Sequence, residues 1–334
     1  MKQGLRLLRK LLLGAIAVVV VLLLGATLAL LAVEPASRAA DLPVRVAEPG
    51  SRFVSVPFAG TPGIELHYLE DGEAAEGGTT FLLLHGFTFN AYTWQPQVAA
   101  LAARGRTIAL DQLPYGLGAK LAPGDWHGPN PYSREAQVAL VLGAMDALGV
   151  ERAVVVGNSS GGTLALELAL AEPERVEALV LVAPWVYVHR PVIPRFVAES
   201  LPLQRLSLFI ARKLGEDGGL LDLSYADAEG IGAERRRLAR LHTHTRNWDL
   251  AWAALLNRSL STPIEVGARL AAIARPALVL SGDADRLVPP ADSRRVAERL
   301  PEGKFVLLPG CGHVPHEECP EAFAAALEKW LARR

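Results

Sequence analysis

The stretch Ala153-Val154-Val155-Val156-Gly157-Asn158-Ser159-Ser160-Gly161-Gly162-Thr163-Leu164 decides how this chain folds. Its four leading apolar residues, three of them β-branched, suit a strand buried on both faces. The glycines then permit a turn too tight for Cβ atoms, and Gly162-Thr163-Leu164 leads into a helical pattern. A Gly-x-Ser-x-Gly match alone is weak. With 30 glycines and 13 serines among 334 residues, about one chain in ten of this composition holds one by chance. The strand before it and the helix after it give the match its weight. Such a turn lifts the hydroxyl of Ser159 into solvent. It also turns the backbone N–H of Ser160 and the helix N-terminus toward developing negative charge. Ser159 is therefore the candidate nucleophile, with Ser160 supplying its N–H rather than its oxygen.

A serine is a poor nucleophile at neutral pH and needs a base, which itself needs an orienting acid. The chain order expected for this arrangement is nucleophile, acid, histidine. Acid candidates lie in Ser281-Gly282-Asp283-Ala284-Asp285-Arg286, directly after the apolar run 277–280. Open parallel sheets place their functional loops at such strand ends. Asp285 is preferred and Asp283 is its rival, the alternative role for either being turn chemistry or a helix cap. The histidine candidate is His313 in Pro309-Gly310-Cys311-Gly312-His313-Val314-Pro315, with His316 as rival. The second oxyanion donor is the N–H of Phe87 in Leu84-His85-Gly86-Phe87. His85 is expected to hydrogen-bond backbone rather than to act as the base.

Outward from these motifs the pattern is of strands alternating with helices. Residues 52–58 and 64–69 form an opening hairpin region. Strands follow at 80–84, 107–110, 153–156, 178–182, 277–280 and 305–308, with helices at 94–103, 133–148, 163–171, 291–300 and 320–332. This implies an α/β fold, a mostly parallel sheet with helices on both faces. The alternation stops between about 186 and 274, where helical patterns at 195–214, 233–243 and 248–256 are broken by Pro191, Pro194, Pro202 and Gly218-Gly219. This segment is expected to be a helical cap inserted between two strands; a separate helical domain fits less well, because the sheet pattern resumes at once. The expected organisation is 1–50 anchor and linker, 51–185 core, 186–274 cap and 275–334 core. Trp185 and Tyr187 open the cap, and Trp248 and Trp252 share one helix face at i and i+4. These four are candidates to line an apolar acyl pocket, with cap-to-core packing as the alternative. Arg235-Arg236-Arg237 with Arg240 fits a solvated helix face.

The N-terminus has a different solvent. Residues 1–33 carry Lys2, Arg6, Arg9 and Lys10 and no acid, a net of +4; the rest holds 30 basic and 35 acidic residues, a net of −5. Residues 11–33 are 23 in a row without charge, about 35 Å of helix, enough for a bilayer core of about 30 Å. The cations in front of it place the N-terminus in the cytoplasm and export the remainder. The run exceeds the apolar region of a signal peptide, which favours an uncleaved transmembrane helix. Secretion after cleavage near the small residues 36–40 is the alternative. A formal net charge of −1 excludes a nucleic-acid binder driven by bulk charge. Hydrophobic residues at 51% exclude disorder. Two cysteines exclude a disulfide scaffold and a cysteine-based metal module. Cys311 and Cys319 bracket His313, and export would permit a disulfide between them. No cofactor, metal or nucleotide motif is present.

From about residue 52 to 334 the chain resembles enzymes of the α/β-hydrolase fold. The likeness is to the cap-bearing group that includes meta-cleavage C–C hydrolases, haloperoxidase-like esterases and carboxylesterases. The resemblance rests on His85-Gly86-Phe87, Asp111 to Gly116, Gly157 to Gly161, Gly282 to Asp285 and Gly312-His313. It implies an acid three residues after Gly282, supporting Asp285. A serine nucleophile disfavours the relatives that use a carboxylate. Pro114 stands where the family often has Gly, which bears on substrate shape. The expected activity is that of a membrane-anchored serine hydrolase cleaving a small apolar ester. C–C hydrolysis, perhydrolysis or acyl transfer on the same triad are alternatives, as is a silent binding protein on this fold.

Overall fold

The computed structural model describes residues 43–73, 78–188 and 192–333, and besides these Gly25, Leu28, Ala29 and Ala32. Most of the expected transmembrane run lies outside the described residues. Among the described residues no helix is long and apolar enough to cross a membrane.

The described strands are β1 (Ser51–Val56), β2 (Ile64–Asp71), β3 (Thr79–Leu84), β4 (Gly105–Leu110), β5 (Ala153–Asn158), β6 (Val176–Val182), β7 (Ala277–Gly282) and β8 (Gly303–Leu308). They form one sheet in the order β1-β2-β4-β3-β5-β6-β7-β8. β1 pairs antiparallel with β2, and β2 antiparallel with β4; from β4 onward all pairs are parallel. The opening hairpin and the parallel remainder are those expected from the apolar runs. The described helices of eight residues or more are α1 (Gln95–Ala102), α2 (Arg134–Ala147), α3 (Ser160–Ala171), α4 (Leu201–Glu216), α5 (Trp248–Leu260), α6 (Pro290–Arg299) and α7 (Pro320–Leu331).

β5 lies between β3 and β6, and all six of its residues are buried. Alternate side chains serve opposite faces, as a pleated strand requires. Val154 and Val156 join a core with Val98 and Leu101 of α1 and Phe323 and Leu327 of α7. Ala153 and Val155 join the other, with Val141 of α2, Leu164 of α3 and Val296 of α6. Helices thus cover both faces, and the carboxyl end of β5 is the middle of the sheet's functional edge. α2 begins where Ser133 accepts a hydrogen bond from Ala136 N–H at 3.2 Å, an N-cap that satisfies one otherwise unpaired donor.

Between β6 and β7 the chain leaves the sheet. α4 and α5 pack on each other over the sheet's functional edge, with the short helices Arg195–Ala198, Leu221–Ser224 and Ala233–Ala239 beside them. The helix expected over 195–214 is two: it stops after Ala198, and α4 restarts with Pro202 in its first turn. The arginine run is the solvated face expected of it at Arg236, Arg237 and Arg240, and departs from it at Arg235. Arg235 reaches Glu317 with two N–H groups, at 2.5 and 3.1 Å, and both side chains are largely buried. Arg236 pairs with Asp222, and Arg237 with Glu234 and Glu48. The acid that pairs with Arg235 is 82 residues away, so a local count of charges could not reveal it.

Candidate active site

Ser159 occupies the turn between β5 and α3 with φ 54° and ψ −118°, a left-handed conformation costly for a residue with a side chain. Its backbone is held on both sides: Ser159 N–H donates to Val182 O at 2.9 Å, and Trp185 N–H donates to Ser159 O at 3.0 Å. The flanking glycines are required by contact. A Cβ on Gly161 would stand 2.3 Å from Leu84 O, and one on Gly157 2.4 Å from Gly161 O. Asn158 ties the turn to a distant loop, since its Nδ2 donates to Val182 O at 3.2 Å and to His313 O at 3.0 Å.

His313 follows β8, and its Nδ1 lies 2.8 Å from Oδ2 of Asp285, which follows β7. The Asp285 carboxylate is buried, and its Oδ1 accepts from Leu287 N–H at 2.8 Å and Val288 N–H at 2.9 Å. One oxygen is thereby committed to backbone and the other is presented to the imidazole. The His313 backbone is fixed from the cap, its N–H donating to Ser224 O at 2.7 Å.

The rivals do other work. Asp283 is exposed and accepts from Gly310 N–H at 2.7 Å, which is turn chemistry. His316 is buried, stacks on Trp94 at 3.9 Å between ring centres and meets Thr93 Oγ1 at 3.1 Å. Burial pulls its pKa down to about 3. His85 donates from Nδ1 to Gly86 O at 2.8 Å and accepts Gln112 N–H on Nε2 at 2.9 Å. Both ring nitrogens are occupied, and burial holds its pKa below the usual histidine value.

Ser159, Ser160, Gly86, Phe87, Trp185 and His313 border one cavity of about 460 Å³. It follows one face of α3 through Ser160, Thr163, Leu164 and Glu167, a span of two turns or about 10 Å. Leu113, Leu255 and Ile264 line its flanks, and an Arg134–Glu167 ion pair of 3.1 Å its distal part. Among the four aromatic residues expected in the pocket, Trp185 is part of this wall and three are not. Tyr187 packs under the guanidinium of Arg295, 4.0 Å from its ring centre. Trp248 and Trp252 are buried inside the cap, where His242 stacks on Trp252 at 4.3 Å and Tyr115 meets it edge-on at 4.8 Å. The i, i+4 pair is cap packing because the apolar face of α5 is turned toward α4.

Two features of the histidine loop escaped the sequence. Asn158 occupies a variable position of the serine motif, and nothing local marks its link to His313. Glu318 accepts from Gly312 N–H at 2.5 Å and from Ala226 N–H at 2.8 Å, clamping the His313 loop to the cap. The pairing of Cys311 with Cys319 that the sequence left open is made: they form a disulfide, Cα atoms 6.1 Å apart, across the same loop. Asp111, at the end of β4, is buried and accepts from His67 Nδ1 and Ala91 N–H at 2.6 Å and from Leu117 N–H at 2.7 Å. Burial raises its pKa, but the charge and hydrogen bond of His67 outweigh that and hold it below the usual range.

A hydroxyl raised on a strained turn, an oriented imidazole and two backbone amides around one cavity can attack a carbonyl and hold the oxyanion that results. The profile of the α/β hydrolase family matches residues 81–326. The chain belongs to the α/β-hydrolase family. It is an enzyme fold whose relatives hydrolyse several kinds of bond. The chain is 30% identical over 274 residues to a putative carbamate hydrolase RutD of Caulobacter sp. (strain K31), covering 80% of this chain and 96% of that protein. It is 31% identical over 234 residues to a 2-hydroxymuconate semialdehyde hydrolase of Pseudomonas putida, covering 68% and 77%. Among solved structures, a membrane phospholipase A described as a bacterial virulence factor is 27% identical, with a TM-score of 0.63. That match covers 99% of this chain and 98% of its own.

Proposed function

We propose that the protein is a membrane-anchored serine hydrolase that cleaves carboxylic esters through an acyl-enzyme. The observation that carries this reading is the Asp285–His313 pair at 2.8 Å, facing the same cavity as Ser159 on its strained turn. His313 takes the Ser159 proton as the oxygen attacks the carbonyl, and the N–H groups of Phe87 and Ser160 hold the oxyanion. His313 then protonates the leaving alcohol. Water, deprotonated by the same imidazole, releases the acid and restores Ser159. Asp285 keeps the ring in the tautomer that leaves Nε2 free to accept. The apolar flanks of the cavity favour an acyl chain over a polar group.

Three observations support the anchor and an exported catalytic domain. The uncharged run 11–33 follows four cations. The phospholipase match extends over the N-terminal segment as well, which favours a lipid ester as substrate. A disulfide at Cys311–Cys319 suits an oxidising compartment. The likeness to 2-hydroxymuconate semialdehyde hydrolase supports a second reading, C–C hydrolysis on the same residues. Ser159→Ala should abolish both ester turnover and labelling by a fluorophosphonate. A series of p-nitrophenyl esters should show activity rising with acyl length before it falls. Full activity in Ser159→Ala, or hydrolysis of a vinylogous diketone without any ester turnover, would reject the proposal.

A further inference from the structure

We propose that the exposed apolar face of the cap, residues 192–210, docks on the surface of the phospholipid bilayer that holds the N-terminal segment. The proposal rests on the anchored reading given above. Nine large apolar side chains are exposed among the described residues, and five of them, Val192, Phe196, Leu201, Phe209 and Ile210, fall in this one stretch. Phe196 is 78% exposed. α4 turns Leu208, Ala211 and Gly215 inward toward α5 and the Trp248 ring, yet exposes Phe209 and Ile210 away from them and Leu201 at its first turn. A helix apolar on both sides has a second apolar neighbour. The charges of the stretch are largely paired, Arg195 with Glu199, Arg212 with Asp249 and Lys213 with Asp217, so attraction to a lipid surface rests on the apolar side chains rather than on net charge.

The attachment of the chain places that neighbour. After residues 34–42 the chain is described again at the short helix Pro43–Val46, which packs on the Leu241–His244 turn, itself packed on α4. Glu48 pairs with Arg237 of the cap at 2.7 Å. The chain that follows the anchor therefore meets the body where the cap adjoins core residue Tyr92, whose hydroxyl accepts Glu48 N–H at 3.1 Å. Gly215 sits against His242, whose Nε2 would be 2.8 Å from an added Cβ, so the carboxyl end of α4 adjoins the attachment point. Phe209 is six residues, about 9 Å, along the helix from there. The nine residues 34–42 extend at most about 32 Å, which keeps the whole face within reach of the bilayer surface. Val44 at the attachment point is 64% exposed. Leu201 borders a second cavity of about 580 Å³ whose wall shares Arg258 with the catalytic cavity. Docking thus sets lipid beside a wall common to both spaces.

The test uses the full chain in vesicles of phosphatidylethanolamine and phosphatidylglycerol. Phe196→Ser with Phe209→Ser should lower hydrolysis of a bilayer-resident long-chain umbelliferyl ester by about tenfold or more, as loss of two buried phenyl groups implies. Turnover of soluble p-nitrophenyl butyrate should stay within about twofold. Leu307→Ser, an exposed apolar residue on edge strand β8, should alter neither. In vesicles of brominated lipid, Phe209→Trp should show fluorescence quenched beyond the parent, and Leu307→Trp should not. Equal losses on both substrates, an unquenched Phe209→Trp, or a dimer in detergent that the double substitution dissolves would overturn the docking. Failure of the parent chain to float with vesicles in alkaline carbonate would overturn the anchor and the docking together. Floating without quenching overturns the docking alone.

Discussion

Asp285→Asn should remove nearly all activity while leaving the fold intact, because of how its two oxygens are used. Oδ1 accepts the N–H groups of Leu287 and Val288, at 2.8 and 2.9 Å, and Oδ2 meets His313 Nδ1 at 2.8 Å. An asparagine has one oxygen acceptor and an NH₂ donor. The two backbone donors hold the amide oxygen at the Oδ1 position, since the reverse orientation would set NH₂ against two N–H groups. The NH₂ then faces Nδ1, which must become an acceptor, and the ring proton moves to Nε2. A protonated Nε2 cannot take the Ser159 proton. The same substitution in the serine protease triad, a known precedent, costs about 10⁴ in kcat, and that factor corresponds to about 5.5 kcal/mol of barrier. We expect a loss of about 10³ to 10⁴ in kcat on p-nitrophenyl butyrate, and a similar slowing of fluorophosphonate labelling. Asp283→Asn, which touches only Gly310 N–H, should stay within about threefold. If Asp285→Asn kept activity within tenfold of the parent, or if Asp283→Asn were as damaging, the tautomer argument would fail.

Other consequences concern stability. Arg235→Met strands the buried Glu317 carboxylate and should cost about 3 to 5 kcal/mol in urea unfolding, with Glu317→Leu in the same chain recovering much of it. Reducing Cys311–Cys319 opens a loop of eight residues and should cost about 2.5 kcal/mol on loop entropy, read as a lower Tm in reductant. His316 has a folded pKa of about 3, below its unfolded value near 6.5, so the unfolded chain binds the proton first. Its contribution is complete above pH 6.5 and is lost as pH falls toward 3, by about 1.4 kcal/mol per unit. His316→Phe should flatten the fall in stability between pH 6.5 and 4.5. An unchanged slope in urea titrations would remove His316 as its source.

The motifs were legible because each is local. A β-branched run before Gly157 and a helix after Gly161 announce a turn whose glycines are demanded by contacts within the turn and with the neighbouring strand. Asp285 was separable from Asp283 only through the family spacing, and the physical reason appears in space: Oδ1 of Asp285 caps the next turn while Oδ2 looks toward β8. The aromatic pocket was read too widely. Periodicity puts Trp248 and Trp252 on one face of a helix but does not say what that face meets, and it meets His242 and Tyr115. Within the arginine run the solvated reading fails at Arg235 alone, because its acid, Glu317, lies far away in sequence.

Alone, the sequence determined the alternation of strand and helix, the interruption after β6, the tight turn at Ser159 and the apolar run behind four cations. These follow from steric and solvation preferences that act over a few residues. Only the tertiary structure decided which carboxylate meets His313, that His316 belongs to the core, how Glu318 and the disulfide brace the histidine loop, and which aromatic residue borders the cavity. Those choices depend on distances between residues far apart along the chain, and such distances are fixed only when the sheet and the cap close on one another.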